Sequence, residues 1–267
     1  MSQTESPDIL VSSPSIMKID KIDKFFGGLH AVNQVSFDVK KGFIKAVIGP
    51  NGAGKTTMFN MIAGSCLPTD GRVLFNNKEL TGKKPYRIAE QGLLRTFQNL
   101  KLCSHLSVLD NVLLGYHTRC KAGLIAGMIS SKRSRSEEKE AVEKVMPILE
   151  WLNMADKRFS EVGNLSFGEQ RAVELARALA PDPEMLLLDE PAAGLNMHET
   201  ADLAGRIQEI RDQGRTILLV EHDMDLVMEI SDEIVVLNFG KKIAEGVPSE
   251  IQKNEDVIRI YLGGDDA

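Results

Sequence analysis

Gly49-Pro50-Asn51-Gly52-Ala53-Gly54-Lys55-Thr56-Thr57 satisfies the spacing GxxxxGK[ST]. Glycines at these intervals let backbone N–H groups turn inward around phosphate oxygens. Lys55 then reaches the β- and γ-phosphates and Thr56 ligates Mg²⁺, while a helix starting here points its positive end at the anion. The flanking residues test the reading. Phe43 to Ile48 is a mostly apolar run that stops at Gly49, and Lys55 to Ala63 reads as a helix. Strand, glycine loop and helix follow in the order of a P-loop fold, so an α/β core is expected. A guanine-binding version would need NKxD, but Asn77-Lys78-Glu79-Leu80 ends in leucine.

Before the loop, Val35, Phe37 and Val39 alternate with Ser36, Asp38 and Lys40, and Ile16 to Phe26 reads similarly. This is the period of half-exposed strands and predicts an N-terminal antiparallel β subdomain. Further along, Met185 to Leu188, Thr216 to Val220 and Glu233 to Leu237 are short apolar runs. They are separated by helix-like stretches around Glu199 to Asp212 and Met224 to Ile230, the alternation of a parallel sheet with helical crossovers. Residues 97–164 are helix-rich, with Ser107 three residues before Asp110 as a capping start, and are expected to form a helical subdomain inserted in the core. The reading is one domain over 16–264, with tails at 1–15 and 265–267.

Asp189 closes the run MLLL, where a buried strand would present its carboxylate to the nucleotide as a direct or indirect partner of Mg²⁺. Glu190 follows, and Pro191 keeps the strand from continuing. Ser166 and Glu169, in NLSFGEQR over 164–171, have the S-x-x-E spacing of a helix N-cap, with Gly168 between them. A capped helix start of this kind offers N–H donors to an anion.

The chain has 267 residues, 43% of them hydrophobic, and a net charge of −6. It is long enough for a substantial core, and its charge argues against a dedicated nucleic-acid binder. Cys66, Cys103 and Cys120 form neither CxxC pairs nor an even set, so a disulfide framework and a zinc site are not indicated. The N-terminus does not read as a secretion signal, and the apolar runs fall far below the roughly 20 residues that span a bilayer. Lys121 to Arg135 joins the apolar LIAGMI to the basic SKRSRS. Such a run usually faces solvent, and its alternative use is a permease or lipid-headgroup contact.

A glycine-rich loop, then LSFGE opening a helix, then LLLDEP resembles the ATP-binding-cassette ATPases over nearly the whole chain. The resemblance implies ATP and Mg²⁺ as cofactors and assigns roles by position. Glu190 polarises the attacking water. His222, in VEHDM, contacts the γ-phosphate, and Gln98, in RTFQNL, touches metal or water and joins the core to the helical subdomain. Phe26, in KFFGG, stacks on adenine, the bland reading of such an aromatic being core packing. The segment holding Ser166, Gly168 and Glu169 closes over the ATP of a second cassette in a head-to-tail dimer. Phe167 stands where the commonest signature has glycine, and Asn196 where the dimer-contact loop has aspartate.

GLLRTFQNL, EPAAGLN, VEHDMDLVMEISD and the closing DVIRIYLG resemble the ATP-binding subunits of high-affinity branched-chain amino-acid importers. That implies two membrane permeases, a second and non-identical cassette, a periplasmic or extracellular substrate-binding protein, and a peripheral place on the cytoplasmic face of the cell membrane. Related cassettes serve urea, amides, aromatic acids or lipopolysaccharide export. A soluble cassette ATPase of DNA repair or translation would usually carry two cassettes or a long coiled coil, and this chain has neither.

Overall fold

The structure, a computed structural model, describes residues 14–96, 101–116 and 132–262. Gln98, Cys120, most of the 121–135 segment and both expected tails, apart from residues 14 and 15, lie outside them. Along the chain come β1 (Ser15–Phe26), β2 (Leu29–Lys40), β3 (Ile44–Ile48), α1 (Lys55–Ile62), β4 (Asp70–Phe75), β5 (Lys78–Glu79), α2 (Pro85–Ala89) and β6 (Leu93–Arg95). Helices α3 (Val108–Tyr116), α4 (Lys132–Trp151) and α5 (Phe167–Leu179) follow, then β7 (Met185–Asp189), α6 (Met197–Asp212), β8 (Thr216–Val220) and α7 (Met224–Ile230). The chain closes through β9 (Glu233–Asn238), β10 (Lys241–Gly246), α8 (Pro248–Ile251) and α9 (Glu255–Leu262).

Two compact units emerge, one built from the chain up to Lys84 and from Arg206 onward, the other from Pro85 to Gly205. In the first, β1 lies between β2 and β4 in an antiparallel sheet of order β2-β1-β4-β5, as the alternation of β1 and β2 predicts. Its second sheet runs β10-β9-β3-β8, with β3 parallel to β8 and β9 and with β9 and β10 an antiparallel hairpin. All of β3 is buried, as a strand flanked on both sides and covered on both faces must be. Lys45 therefore sits in the core at 1% exposure, its Nζ held by Glu245 Oε1 at 2.5 Å and by Glu233 Oε2 at 2.9 Å. α1 buries Met58, Phe59, Met61 and Ile62.

In the second unit, β6 pairs in parallel with β7, Leu93 opposite Met185 and Arg95 opposite Leu187. Val112 of α3, Val145 and Leu149 of α4 and Val173 of α5 are fully buried apolar positions of its helical part. Ser107 caps α3 through Asp110 N, at 3.0 Å, as its spacing predicts. α6 starts at Met197, before the apolar periodicity suggests, because Asn196 caps it: Glu199 N donates to Asn196 Oδ1 at 3.0 Å and Asn196 N to Glu199 Oε2 at 2.9 Å. An N-cap tolerates Asn and Asp equally well, so the departure from aspartate keeps the local structure.

Candidate functional site

The phosphate loop belongs to the first unit and is shaped by what surrounds it. Gly49, at φ +149, leaves no room for a Cβ, which would lie 2.1 Å from the Leu237 carbonyl oxygen. Gly54, at φ +97, caps α1 in the left-handed conformation, and a Cβ there would lie 2.5 Å from the Ala31 carbonyl. The β9–β10 turn grips the loop from the far end of the chain: Gly240 N donates to Ala53 O at 3.0 Å and Asn33 N to Gly240 O at 2.8 Å. Lys55, almost fully buried, donates through Nζ to Gly49 O at 2.5 Å and Pro50 O at 3.0 Å. Its ammonium is thus held inside the loop, while Thr56 is exposed. Tyr261 of α9 lies beside the Gly49 backbone, a proximity that sequence reasoning missed.

Phe26 is 51% exposed, which removes core packing as its role. It ends β1 at the β1–β2 turn, with Lys24 Nζ 5.0 Å from its ring centroid. Next to it, Phe25 stacks on His30 at 3.9 Å, and His30 Nε2 bonds Asp23 Oδ1 at 2.7 Å. The hairpin tip is therefore stiffened by its own aromatic pair and presents a second ring outward. β2 runs on from this tip to Ala31 and Val32, the residues that press on Gly54.

His222 leaves the same edge of the β10-β9-β3-β8 sheet as the phosphate loop, because Val220 pairs in register with Val47. Its side chain is 63% exposed. The fully buried Glu221 carboxylate accepts from His222 N at 3.0 Å and fixes the direction of that turn. Asp223 then caps α7 through Leu226 N at 3.1 Å.

In the second unit, Asp189 ends β7 at 1% exposure. Arg95 Nη2 donates to its Oδ2 at 2.6 Å, whereas Oδ1 is buried without a hydrogen-bond partner. A buried carboxylate oxygen in that state is costly, and a divalent cation would satisfy it. Among the described residues no three His, Cys, Asp or Glu side chains gather as a cage. A cation held mostly by phosphate oxygens and by one protein carboxylate fits Asp189. Glu190 adopts φ +47, a left-handed conformation rare for a residue with a side chain. Ala193 N closes the turn onto Glu190 O at 3.1 Å, so the chain bends off the strand at this residue.

The helix start at Ser166 is a complete capping box: Glu169 N donates to Ser166 Oγ at 3.3 Å and Ser166 N to Glu169 Oε2 at 2.9 Å. Lys157 pairs with the same carboxylate. These hydrogen bonds, that from Lys157 first, hold the Glu169 carboxyl below its ordinary range. Gly168 faces Glu199, whose Oε1 would lie 2.6 Å from an added Cβ, and Phe167 lies against Gly194, which is at φ +82. The capped helix start and the loop after the acidic pair thus pack as one block within the second unit. Arg95 was not singled out by sequence; its only signal was a basic residue ending the apolar LLR.

An exposed aromatic and a glycine cradle with an internal lysine in one unit, and a buried strand-end aspartate followed by a bent glutamate in the other, define a P-loop nucleotide-binding protein. The chain belongs to the ATP-binding cassettes of ABC transporters: the family described as "ABC transporter" matches residues 32–193, and that described as "Branched-chain amino acid ATP-binding cassette transporter" matches residues 241–267. The chain is 42% identical to the high-affinity branched-chain amino acid transport ATP-binding protein LivG of Escherichia coli, over 94% of this chain and 99% of the relative. Identity and coverage are the same for BraF of Pseudomonas aeruginosa, which carries the same description. A crystal structure of a nucleotide-free ATP-binding cassette from an ABC transporter superposes with TM-score 0.82 at 34% identity, covering 93% of this chain and 99% of that one. The ADP conformation of such a cassette gives 0.82 at 33%, covering 94% and 100%. The α/β cassette fold and the nucleotide-binding ATPase class expected from sequence are therefore those of this chain.

Proposed function

We propose that this chain is the ATP-hydrolysing motor subunit of an ABC importer for branched-chain amino acids. The observation that carries the substrate class is the full-length likeness to LivG and BraF together with the separate match over residues 241–267. ATP binds with its phosphates in the loop from Gly49 to Thr57 and its adenine on Phe26. Lys55 neutralises phosphate charge as the bound nucleotide draws its ammonium from the loop carbonyls. Thr56 and Asp189 hold Mg²⁺, whose charge offsets that developing on the γ-phosphate. Glu190 orients the attacking water, His222 contacts the γ-phosphate, and Gln98 touches the metal or the water.

Ser166 and Gly168 bind the nucleotide of a second, non-identical cassette. Because the Glu169 carboxylate is committed to the cap and to Lys157, it serves that role by holding the helix start open to an anion. Two permease subunits and an extracytoplasmic binding protein complete the assembly, and the cassette sits on the cytoplasmic face of the membrane. No described helix is long and apolar enough to cross a bilayer, so attachment runs through the permeases. A groove of about 310 Å³ in the second unit, lined among others by Leu94, Lys101, Leu114 and Arg177, suits a permease loop that brings apolar and acidic groups.

Uptake of labelled leucine, isoleucine and valine is the test, in cells carrying Glu190→Gln in place of the native gene and with permease levels checked. Loss of uptake is the expected result. Normal uptake of all three would transfer the motor to urea, amides, aromatic acids or export.

A further inference from the structure

The metal-site carboxylate is gripped from one neighbouring strand. Thr96 N donates to Leu187 O at 2.9 Å, Asp189 N donates to Thr96 Oγ1 at 3.4 Å, and Arg95 Nη2 donates to Asp189 Oδ2 at 2.6 Å. Arg95 and Asp189 side chains are 11% and 1% exposed, so this is a buried, charge-assisted hydrogen bond and not a surface pair. The register explains it: Arg95 ends β6 opposite Leu187, two residues short of Asp189, and a long side chain spans that offset. The consequence is an asymmetric carboxylate, with one oxygen occupied by a guanidinium and the other buried and unpaired.

We propose that Arg95 is a positioning residue for the divalent cation: by pinning Oδ2 it fixes the rotation of the Asp189 carboxylate and leaves Oδ1 as its single metal-facing oxygen. The proposal rests on the reading of Asp189 as a metal ligand. Two effects of Arg95 oppose each other here. Its positive charge repels the incoming cation, whereas its hydrogen bond removes the freedom of the carboxylate to turn away or to bind through both oxygens. A bidentate mode is poorly suited to the near-ideal octahedral geometry that Mg²⁺ demands, and partners that orient a metal ligand are worth about 10- to 100-fold in metal affinity. Orientation therefore outweighs repulsion. The guanidinium also keeps a countercharge beside a buried carboxylate whenever the cation has left with its nucleotide. Arg95 and Thr96 also line the groove described above.

The test uses the purified full chain, with Mn²⁺ binding in the presence of ADP followed by electron paramagnetic resonance and metal-free ADP affinity measured alongside. Asp189→Asn first establishes the underlying reading: wild-type Mn²⁺ affinity in that variant would overturn the metal-ligand assignment itself. With that assignment standing, Arg95→Met should weaken Mn²⁺ binding about 10-fold or more, with metal-free ADP affinity unchanged. Arg95→Lys, which keeps charge and one donor, should recover part of the loss. Unchanged or tighter Mn²⁺ binding in Arg95→Met would overturn the proposal. Should Arg95→Met fail to fold, Arg95→Gln compared with Arg95→Lys decides: weaker Mn²⁺ binding in both, at wild-type ADP affinity, supports it, and wild-type Mn²⁺ binding in both refutes it.

Discussion

Lys45 and Glu233 are partners across the parallel β3–β9 ladder, and their side chains meet at 2.9 Å with the lysine sealed in the core. Glu233 also accepts from Lys40 at 2.7 Å, while Glu245 on β10 takes the other side of the Lys45 ammonium. One buried cation therefore ties three strands together four residues before the phosphate loop begins. Removing one member of such a group leaves the others uncompensated. Lys45→Met should lower unfolding free energy by about 3 kcal/mol, read as a reduced urea midpoint; an unchanged midpoint would mean that the methionine packs as well as the ion cluster.

The same cluster sets a pH dependence. Burial pushes the Glu233 carboxyl up, but hydrogen bonds from Lys40 and Lys45 outweigh it and hold the group below its ordinary range. A carboxyl lowered by folding contributes stability above its unfolded value, near 4.3, and loses that contribution as pH falls through the lower folded value. Unfolding midpoints measured from neutral pH down to about 3 should fall more steeply for wild type than for Glu233→Gln. Parallel curves would count against a stabilising role for this ion cluster.

On the proposed role of Glu190 in orienting water, Glu190→Gln removes that function and keeps the shape of the side chain. Nucleotide affinity should stay near wild type while phosphate release in the assembled transporter drops by about 100-fold or more. Wild-type turnover would assign the base to another group.

Gly49→Ala places a methyl group against the Leu237 carbonyl, and Lys55→Ala removes the cation together with its hydrogen bonds to the Gly49 and Pro50 carbonyls. Both should lose ATP binding, and the first should lower the melting temperature more. An unchanged melting temperature in Gly49→Ala would show that the loop can move away from β9.

Ser166→Ala deletes one half of the capping box of α5. The cost to stability should be about 1 kcal/mol, visible by thermal unfolding of the lone chain. ATP-driven dimerisation with a second cassette should suffer far more. Equal small losses in both would reduce Ser166 to a structural cap.

Much of this was legible because local chemistry carried it. Gly49 to Thr57 has a spacing that few other structures need, Ser166 and Glu169 cap their helix as written, and MLLLD ends at its carboxylate. What stayed hidden depended on partners distant in sequence. β6 has three residues and exists only because β7 pairs with it, so neither the strand nor the reach of Arg95 could be read from LLR. Lys45 inside an apolar run looked like an interruption; its burial follows from Glu233 and Glu245, which sit far along the chain. For Phe26, read as a stacking aromatic with core packing as the alternative, it is the hairpin's course that removes the alternative by turning the ring outward.

The β9–β10 turn closes the phosphate loop through Gly240, and Tyr261 reaches it from α9. A growing chain leaving the ribosome thus carries the complete GxxxxGK[ST] peptide long before Gly240, the backbone partner that closes it, has been added. The cradle is completed only once the β9–β10 turn has formed. Nascent chains that stop short of Gly240 present the motif without the backbone bonds that close its cradle.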